Sequence, residues 1–112
     1  MKVIYKYRLP FMETSKVVMY ESSEIIRVDG ESGALWLWAI VDTDLPLVER
    51  TFKLYKTGGE MPANIGKYTY HGCGAIFIQM ELMMYVFEDI SIGDPIVTEP
   101  APFDWKAVQE TL

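Results

Sequence analysis

The chain has 112 residues, half of them hydrophobic, and it carries 10 Lys and Arg against 16 Asp and Glu, for a net charge of −6. This composition predicts one compact domain that folds without metal, and it excludes intrinsic disorder. No apolar run approaches the roughly 18 residues of a membrane helix, the N-terminus has no signal-peptide core, and the one cysteine, Cys73, forbids an internal disulfide. We therefore expect a cytoplasmic protein without a membrane partner.

The net negative charge is concentrated in residues 88–112. The rest of the chain is nearly neutral and lacks the dense basic stripe that binds duplex DNA, so we do not expect duplex DNA as a partner. The acidic residues of the tail are separated by Pro95, Pro100 and Pro102, which is typical of a solvated segment.

Hydrophobic periodicity along the chain is mostly that of strands. The first segment, residues 2–9, alternates apolar side chains with Lys and Arg, as a half-buried strand does, and it ends at Pro10. Short segments with the same character recur every 8 to 12 residues or so, with turn residues between them. The predicted strands are 2–9, 16–20, 25–28, 34–42, 47–56, 67–71, 75–80 and 83–88.

Two of these segments carry further expectations. The strand over 34–42 is apolar on both faces, which predicts a central position and packing of Trp36 and Trp38 in the core. Gly72 and Gly74 predict a bend or bulge between the strands over 67–71 and 75–80.

The fold class predicted from this pattern is mainly β: a small antiparallel β-sandwich or open barrel of about seven to eight strands. The β-domain spans 1–88, and residues 89–112 form an acidic, proline-rich C-terminal arm. Asp104 is a candidate cap for a short terminal helix over 105–112, with Phe103, Trp105 and Val108 as the docking residues. Packing on its own domain and packing on a neighbouring subunit are both compatible with this arm.

The succession IYKYRLP, EIIRV, LWLWAIVD, ERTFKLYKTGGEMP, YTYHGCG and MMYVFE resembles a small phage- and prophage-associated family of uncharacterised proteins, a domain of unknown function. The resemblance covers residues 2–88. It implies a context, a viral accessory gene expressed in a bacterial host cytoplasm, and no activity. The chain departs from the family where the last strand reads Met84-Tyr85-Val86-Phe87-Glu88 instead of Trp-His-x-Phe-Glu, and where Cys73 replaces a frequent threonine.

Catalytic and metal chemistry has little support in the residues. His71 and Cys73 are two apart and would share a strand face, but a nucleophile pair also needs an orienting group, and a thiol and imidazole at a β-bulge explain both residues. A zinc site lacks its His and Cys cluster, and a solvated turn explains Asp42 and Asp44. We expect no enzyme, no metal and no cofactor.

A basic and aromatic segment is the best candidate for ligand binding. A glycine turn follows a strand with three cations, and backbone donors beside cations can hold a phosphate, although the P-loop and dinucleotide fingerprints are missing. Nearby tyrosines offer flat surfaces for stacking a base. The candidate residues are Arg50, Lys53, Tyr55, Lys56, Thr57, Gly58, Gly59, Tyr68, Tyr70 and His71.

The run over 76–87 is apolar on both strand faces, more than one small domain can bury, so part of it is a candidate subunit interface. The interface candidates are Met83, Tyr85, Phe87, Phe103 and Trp105. Homo-oligomerisation is the simplest consequence.

These observations lead to a functional hypothesis: a phage accessory binding protein that counters host defence by sequestering a nucleotide-derived immune signalling molecule as a homo-oligomer. Two alternatives stay open. One is a protein that inhibits a host defence component by direct contact, and the other is a structural or morphogenesis module of a phage.

Overall fold

The computed structural model describes residues 1–97 and the backbone of residues 109–111. The fold is mainly β, and the one helical segment among the described residues is a single 3₁₀ turn at Ile65–Lys67. The strands are β1 (Lys2–Leu9), β2 (Thr14–Tyr20), β3 (Glu24–Glu31), β4 (Ala34–Asp42), β5 (Leu47–Lys56), β6 (Tyr68–Ile78), β7 (Met80–Asp89) and β8 (Gln109–Thr111).

The strands form two antiparallel sheets. Sheet I has the order β3-β4-β1-β8 and sheet II the order β2-β5-β7-β6. Among the strands that the structure describes, only β3–β4 and β6–β7 pair as hairpins of consecutive strands. The other ladders join strands that are far apart in sequence, with Leu9 opposite Leu35 and Tyr20 opposite Leu47. The predicted antiparallel β class is therefore confirmed.

One hydrophobic core lies between the sheets. Alternate residues of each strand point into it, as the two-residue period of a strand requires. Tyr7 and Leu37 from sheet I meet Met19, Phe52 and Val86 from sheet II, and all five side chains are fully buried. The inward position of the apolar residues of β1 is the one that its sequence pattern predicts.

The two tryptophans of β4 lie on the outer face of sheet I. Trp38 is buried there, whereas Trp36 is only half-buried, so the predicted core position is wrong for Trp36. The inward set of β4 is instead Leu35, Leu37, Ala39 and Val41. Both faces of this strand are apolar, so its composition could not select the inward one. Outside, Trp38 is sandwiched between cations, with the Arg27 guanidinium carbon 4.4 Å and the Lys6 ammonium 5.5 Å from its ring centroid, and it remains buried there.

β6 and β7 form a long hairpin. The strands predicted over 67–71 and 75–80 are in fact one strand, β6, because the glycine-rich segment is absorbed as a bulge with a register shift between Tyr70 and Gly72. Gln79 makes the turn with φ of 61°. The hairpin tip, defined here as Phe77, Ile78 and Met80, leaves these three apolar side chains exposed.

After β7 the chain returns to sheet II. The Val97 N–H donates to the Leu47 carbonyl oxygen over 2.9 Å, and Ile96 bridges Val48. Further on, β8 pairs with β1. The helix predicted over 105–112 is not confirmed: residues 109–111 are a strand, and the rest of that range, with Phe103 and Trp105, lies outside the described residues.

Candidate functional site

An aromatic surface covers the outer side of sheet II. In β5 the even-numbered residues face the core, so Lys53 and Tyr55 point outward. In the register of the sheet, Lys53 stands opposite Phe87, Tyr55 stands opposite Tyr85, and Tyr70 stands opposite Phe87 from the other side. We call this surface the aromatic face; its residues are Lys53, Tyr55, Tyr68, Tyr70, Tyr85 and Phe87.

Phe87 is the centre of the aromatic face. Its ring centroid lies 5.7 Å from that of Tyr55 in an edge-on arrangement and 5.1 Å from that of Tyr70. These spacings are those of favourable aromatic pairs. Tyr70 is 52% exposed, whereas Phe87 is half-buried between its neighbours. The face therefore offers a flat, partly hydrated apolar surface held in place by ring contacts.

The hydroxyls of Tyr55 and Tyr70 stay protonated at neutral pH. Partial burial, together with a hydrogen bond to Tyr68, raises the pKa of Tyr55 to about 12. Partial burial and a hydrogen bond with the Cys73 thiol also raise the pKa of Tyr70. These groups can consequently donate hydrogen bonds to a ligand and carry no charge that would repel an anion.

Two open grooves flank Lys56 at the end of β5. The first, of about 280 Å³, lies between the β1–β2 loop and β5. The second, of about 430 Å³, lies toward the β6–β7 hairpin. The first groove is lined by Phe11, Met12, Glu13, Leu54, Tyr55, Lys56, Gly59, Glu60 and Met84, and the second by Lys56, Thr57, Glu81, Leu82 and Met83. Each groove thus has at least one carboxylate beside the shared lysine.

The predicted glycine turn uses part of its hydrogen-bonding capacity locally. The Gly59 N–H already donates to the Lys56 carbonyl oxygen over 2.9 Å. The Thr57 hydroxyl donates to the Tyr85 hydroxyl over 3.2 Å. Gly58 has φ of 80° with open space around it. The segment is a strand-ending turn tied to the aromatic face.

Arg50 and His71 are separated from this surface, because both point into the protein. The Arg50 guanidinium donates from Nε and Nη2 to the two Glu88 carboxylate oxygens over 2.7 and 2.6 Å, and from Nη1 to the Ser23 carbonyl oxygen over 2.6 Å. The His71 Nε2 lies 2.8 Å from Glu88 Oε1. We call this group the Arg50–Glu88–His71 cluster. Its cation is already neutralised and hydrogen-bonded.

The cluster strongly favours the charged carboxylate of Glu88. Burial alone would raise the pKa of Glu88, but hydrogen bonds from Arg50 and His71 and their charges lower it to about 2. Sequence reasoning found Arg50 and His71 but not Glu88. The one available signal for Glu88 was its position as a charged residue at the end of the apolar strand over 83–88. An ordinary strand end has the same pattern.

His71 and Cys73 do not form a thiol–imidazole pair. The bulge between Tyr70 and Gly72 shifts the register, so that the imidazole points to Glu88 in the interior while the thiol lies beside Tyr70 on the aromatic face. The expectation that they share a strand face is wrong for this reason. The described residues also contain no group of three or more His, Cys, Asp or Glu that could hold a metal ion.

The predicted interface residues that the structure describes lie in two places on sheet II. Tyr85 and Phe87 belong to the aromatic face, and Met83 is exposed beside the hairpin tip.

Within the described part of the chain, no helix is long and apolar enough to cross a bilayer.

A comparison with protein families finds one match. The family model described as "Domain of unknown function (DUF7352)" covers residues 1–94, which include β1 through β7 and end before β8. No curated protein and no solved structure matches the chain. The family model covers most of the sequence, and the chain therefore belongs to the DUF7352 family.

Proposed function

We propose that this protein is a non-catalytic binding protein that captures a nucleotide-derived signalling molecule on its aromatic face. The observation that carries the proposal is the contact of Phe87 with both Tyr55 and Tyr70 on one outward surface next to Lys53. Base stacking on aromatic side chains contributes about 1 to 3 kcal/mol per base and tolerates any base. The supporting scaffold is, in this proposal, a small antiparallel β-sandwich.

Lys53 supplies positive charge for a phosphate on the aromatic face, and Lys56 adds a second cation at the end of the same strand. Lys53 extends along the surface, where its ammonium donates to the Thr14 hydroxyl over 2.9 Å. Lys56 is exposed, but Glu60 and Glu81 line the grooves on its two sides. Because these carboxylates repel a ligand of high negative charge, we infer a ligand with few phosphate charges, such as a mononucleotide or a cyclic dinucleotide.

Binding is favoured over catalysis by the state of the two reactive side chains. The imidazole of His71 is held by Glu88 inside the protein, and the Cys73 thiol lies beside the Tyr70 hydroxyl on the other face. Together with the resemblance to phage proteins, this supports the hypothesis of counter-defence by sequestration in a bacterial cytoplasm. The exposed hairpin tip and Met83 supply apolar surface for a homo-oligomer.

Native mass spectrometry of the full-length protein tests this function. The protein is measured before and after incubation with a small-molecule extract of phage-infected cells. We expect an oligomer that gains a discrete nucleotide-sized mass. Tyr70→Ala and Lys53→Ala should lose the added mass, while Ile26→Ala, an exposed apolar position on sheet I, should keep it. A protein of unchanged mass would contradict sequestration.

A second function has its own supporting observation, the exposure of Phe77, Ile78 and Met80 at one hairpin tip. Such a group of apolar side chains suits a protein partner. The partner would be a host defence component for an inhibitor, or a virion protein for a morphogenesis module. Co-purification from infected cells with wild type and with Phe77→Ser tests both: a stoichiometric partner should be lost in the variant, and its presence in purified particles identifies the morphogenesis role.

A further inference from the structure

The two grooves beside Lys56 meet at one end of the sheets. Lys56 lines both of them, and their walls come from the β1–β2 loop, the end of β5, the turn after it and the start of β7. Every lining residue of the two grooves lies within the described range 1–97. We call this combined surface the methionine groove, because Met12, Met83 and Met84 line it.

The methionine groove has a buried apolar floor and exposed apolar walls. Leu54 and Met84 are buried and form the floor. Phe11 and Met12 are 54% and 59% exposed on one side of the floor, and Met83 is 37% exposed on the other. Methionine side chains are flexible and polarisable, so they adapt to apolar side chains of different shapes. Exposed apolar side chains grouped around a groove are typical of an interaction site.

The rim of the methionine groove is acidic. Glu13 and Glu60 line the first groove and Glu81 lines the second, and all three are exposed. Among the described residues, none of these three carboxylates forms an ion pair. The Lys56 ammonium is the one cation among the lining side chains. A ligand with several positive charges is therefore attracted by three carboxylates and repelled by one ammonium.

We propose that the methionine groove is a docking site for a basic amphipathic segment of a partner protein. In this mode of recognition an amphipathic helix lays its apolar side chains into a hydrophobic groove. Its lysines and arginines then lie beside the acidic rim. A second copy of this chain brings its own excess of acidic residues, so the rim favours a different protein. The groove shares only Tyr55 with the aromatic face and does not depend on the function proposed for that face.

The probe for this site is a fluorescein-labelled peptide of leucine and lysine at the spacing of an amphipathic helix. Its binding to the full-length protein is measured by fluorescence anisotropy without nucleotide. One comparison peptide has glutamate in place of lysine, and the other has serine in place of leucine. Glu81→Lys reverses one rim charge, and Met12→Ser removes part of the apolar wall. The matched controls are Glu21→Lys, an exposed position at the opposite end of the sheets, and Ile90→Ser, which is 56% exposed.

Wild type should bind the basic amphipathic peptide at least about threefold more tightly than either comparison peptide. Glu81→Lys and Met12→Ser should each weaken this binding at least about threefold, whereas both controls should stay within about twofold of wild type. A smaller preference for the peptide, or a smaller loss in either groove variant, would overturn the docking site. An equal loss in Glu21→Lys would assign the binding to net charge and would also overturn it.

Native mass spectrometry of the free proteins tests the other occupant. A wild-type oligomer that dissociates in Met12→Ser would put a second copy of the chain in the groove and would overturn the proposal. An oligomeric state that is the same in wild type and in Met12→Ser supports a different protein as the occupant. Circular dichroism checks that every variant is folded.

Discussion

Gly30 of β3 and Gly74 of β6 bring the two sheets into backbone contact along one side of the molecule. A Cβ atom on Gly30 would stand 1.6 Å from the Ala75 carbonyl oxygen, and one on Gly74 would stand 2.7 Å from the Gly30 nitrogen. Neither distance is possible between non-bonded atoms. These two positions therefore require glycine because of the close approach of opposite sheets.

Gly30→Ala should destabilise the protein by about 2 to 4 kcal/mol, because the added methyl group forces the two strands apart and disturbs the packing around them. Urea unfolding followed by circular dichroism measures the change. Gly66→Ala is the control, since a Cβ there meets open space; it should change the free energy of unfolding by no more than about 0.5 kcal/mol. Equal stability of the two variants would contradict the backbone contact.

Arg50→Met should cost about 3 to 5 kcal/mol, because it leaves the Glu88 carboxylate buried without its main cation. The double variant Arg50→Met with Glu88→Leu should regain much of that loss, since it removes both charges from the interior. Equilibrium unfolding of the two single variants and the double variant completes the cycle. If the double variant lost as much unfolding free energy as the two single variants together, the two side chains would not act as a pair.

Acid should destabilise the protein through Glu88. The folded-state pKa of about 2 lies below the ordinary 4.5, so the stabilisation is fully present above about pH 5 and is lost as the pH falls through the folded pKa. The total is about 3 kcal/mol, of which about 2 kcal/mol is lost by pH 3. Urea unfolding between pH 6 and pH 3 measures this slope. Glu88→Gln should flatten it, and an unchanged slope in this variant would assign the acid sensitivity to other carboxyls.

Arg27→Ala should loosen the outer face of sheet I. The guanidinium carbon lies 4.4 Å from the Trp38 ring centroid, so its loss should cost about 0.5 to 1 kcal/mol and expose the indole. Tryptophan emission should shift to longer wavelength, and quenching by acrylamide should increase. Lys16→Ala, which removes an exposed cation on strand β2 of the other sheet, should leave the emission unchanged. The same shift in both variants would rule out a specific stack.

The sequence pattern predicted the individual strands well, but it predicted poorly how these strands pair and which faces they bury. In β1 the alternation of apolar and charged residues selected the buried face, because only one face was apolar. In β4 both faces were apolar, and the tryptophans were assigned to the wrong side. The β6 bulge was anticipated at Gly72, but the sequence could not indicate that the strand continues past it and reverses the directions of His71 and Cys73.

The candidate site was predictable to a similar extent. Strand parity put Lys53 and Tyr55 on one face of β5, and Tyr68 and Tyr70 on one face of β6. Phe87 joins the two sets only because β7 lies between those strands, and strand order depends on long-range pairing that no local pattern encodes. Arg50 was taken for a surface cation for the same reason, since its partner Glu88 is 38 positions away in the chain.

The interleaved strand order has a consequence for the speed of folding. The β3–β4 and β6–β7 hairpins are local, and they can form within microseconds. The ladders β1–β4, β2–β5 and β5–β7 each close a long stretch of intervening chain, and such closures put all-β domains in the millisecond-to-second range. Amide protons in the two hairpins should therefore gain protection from exchange during refolding before those of β1 and β2.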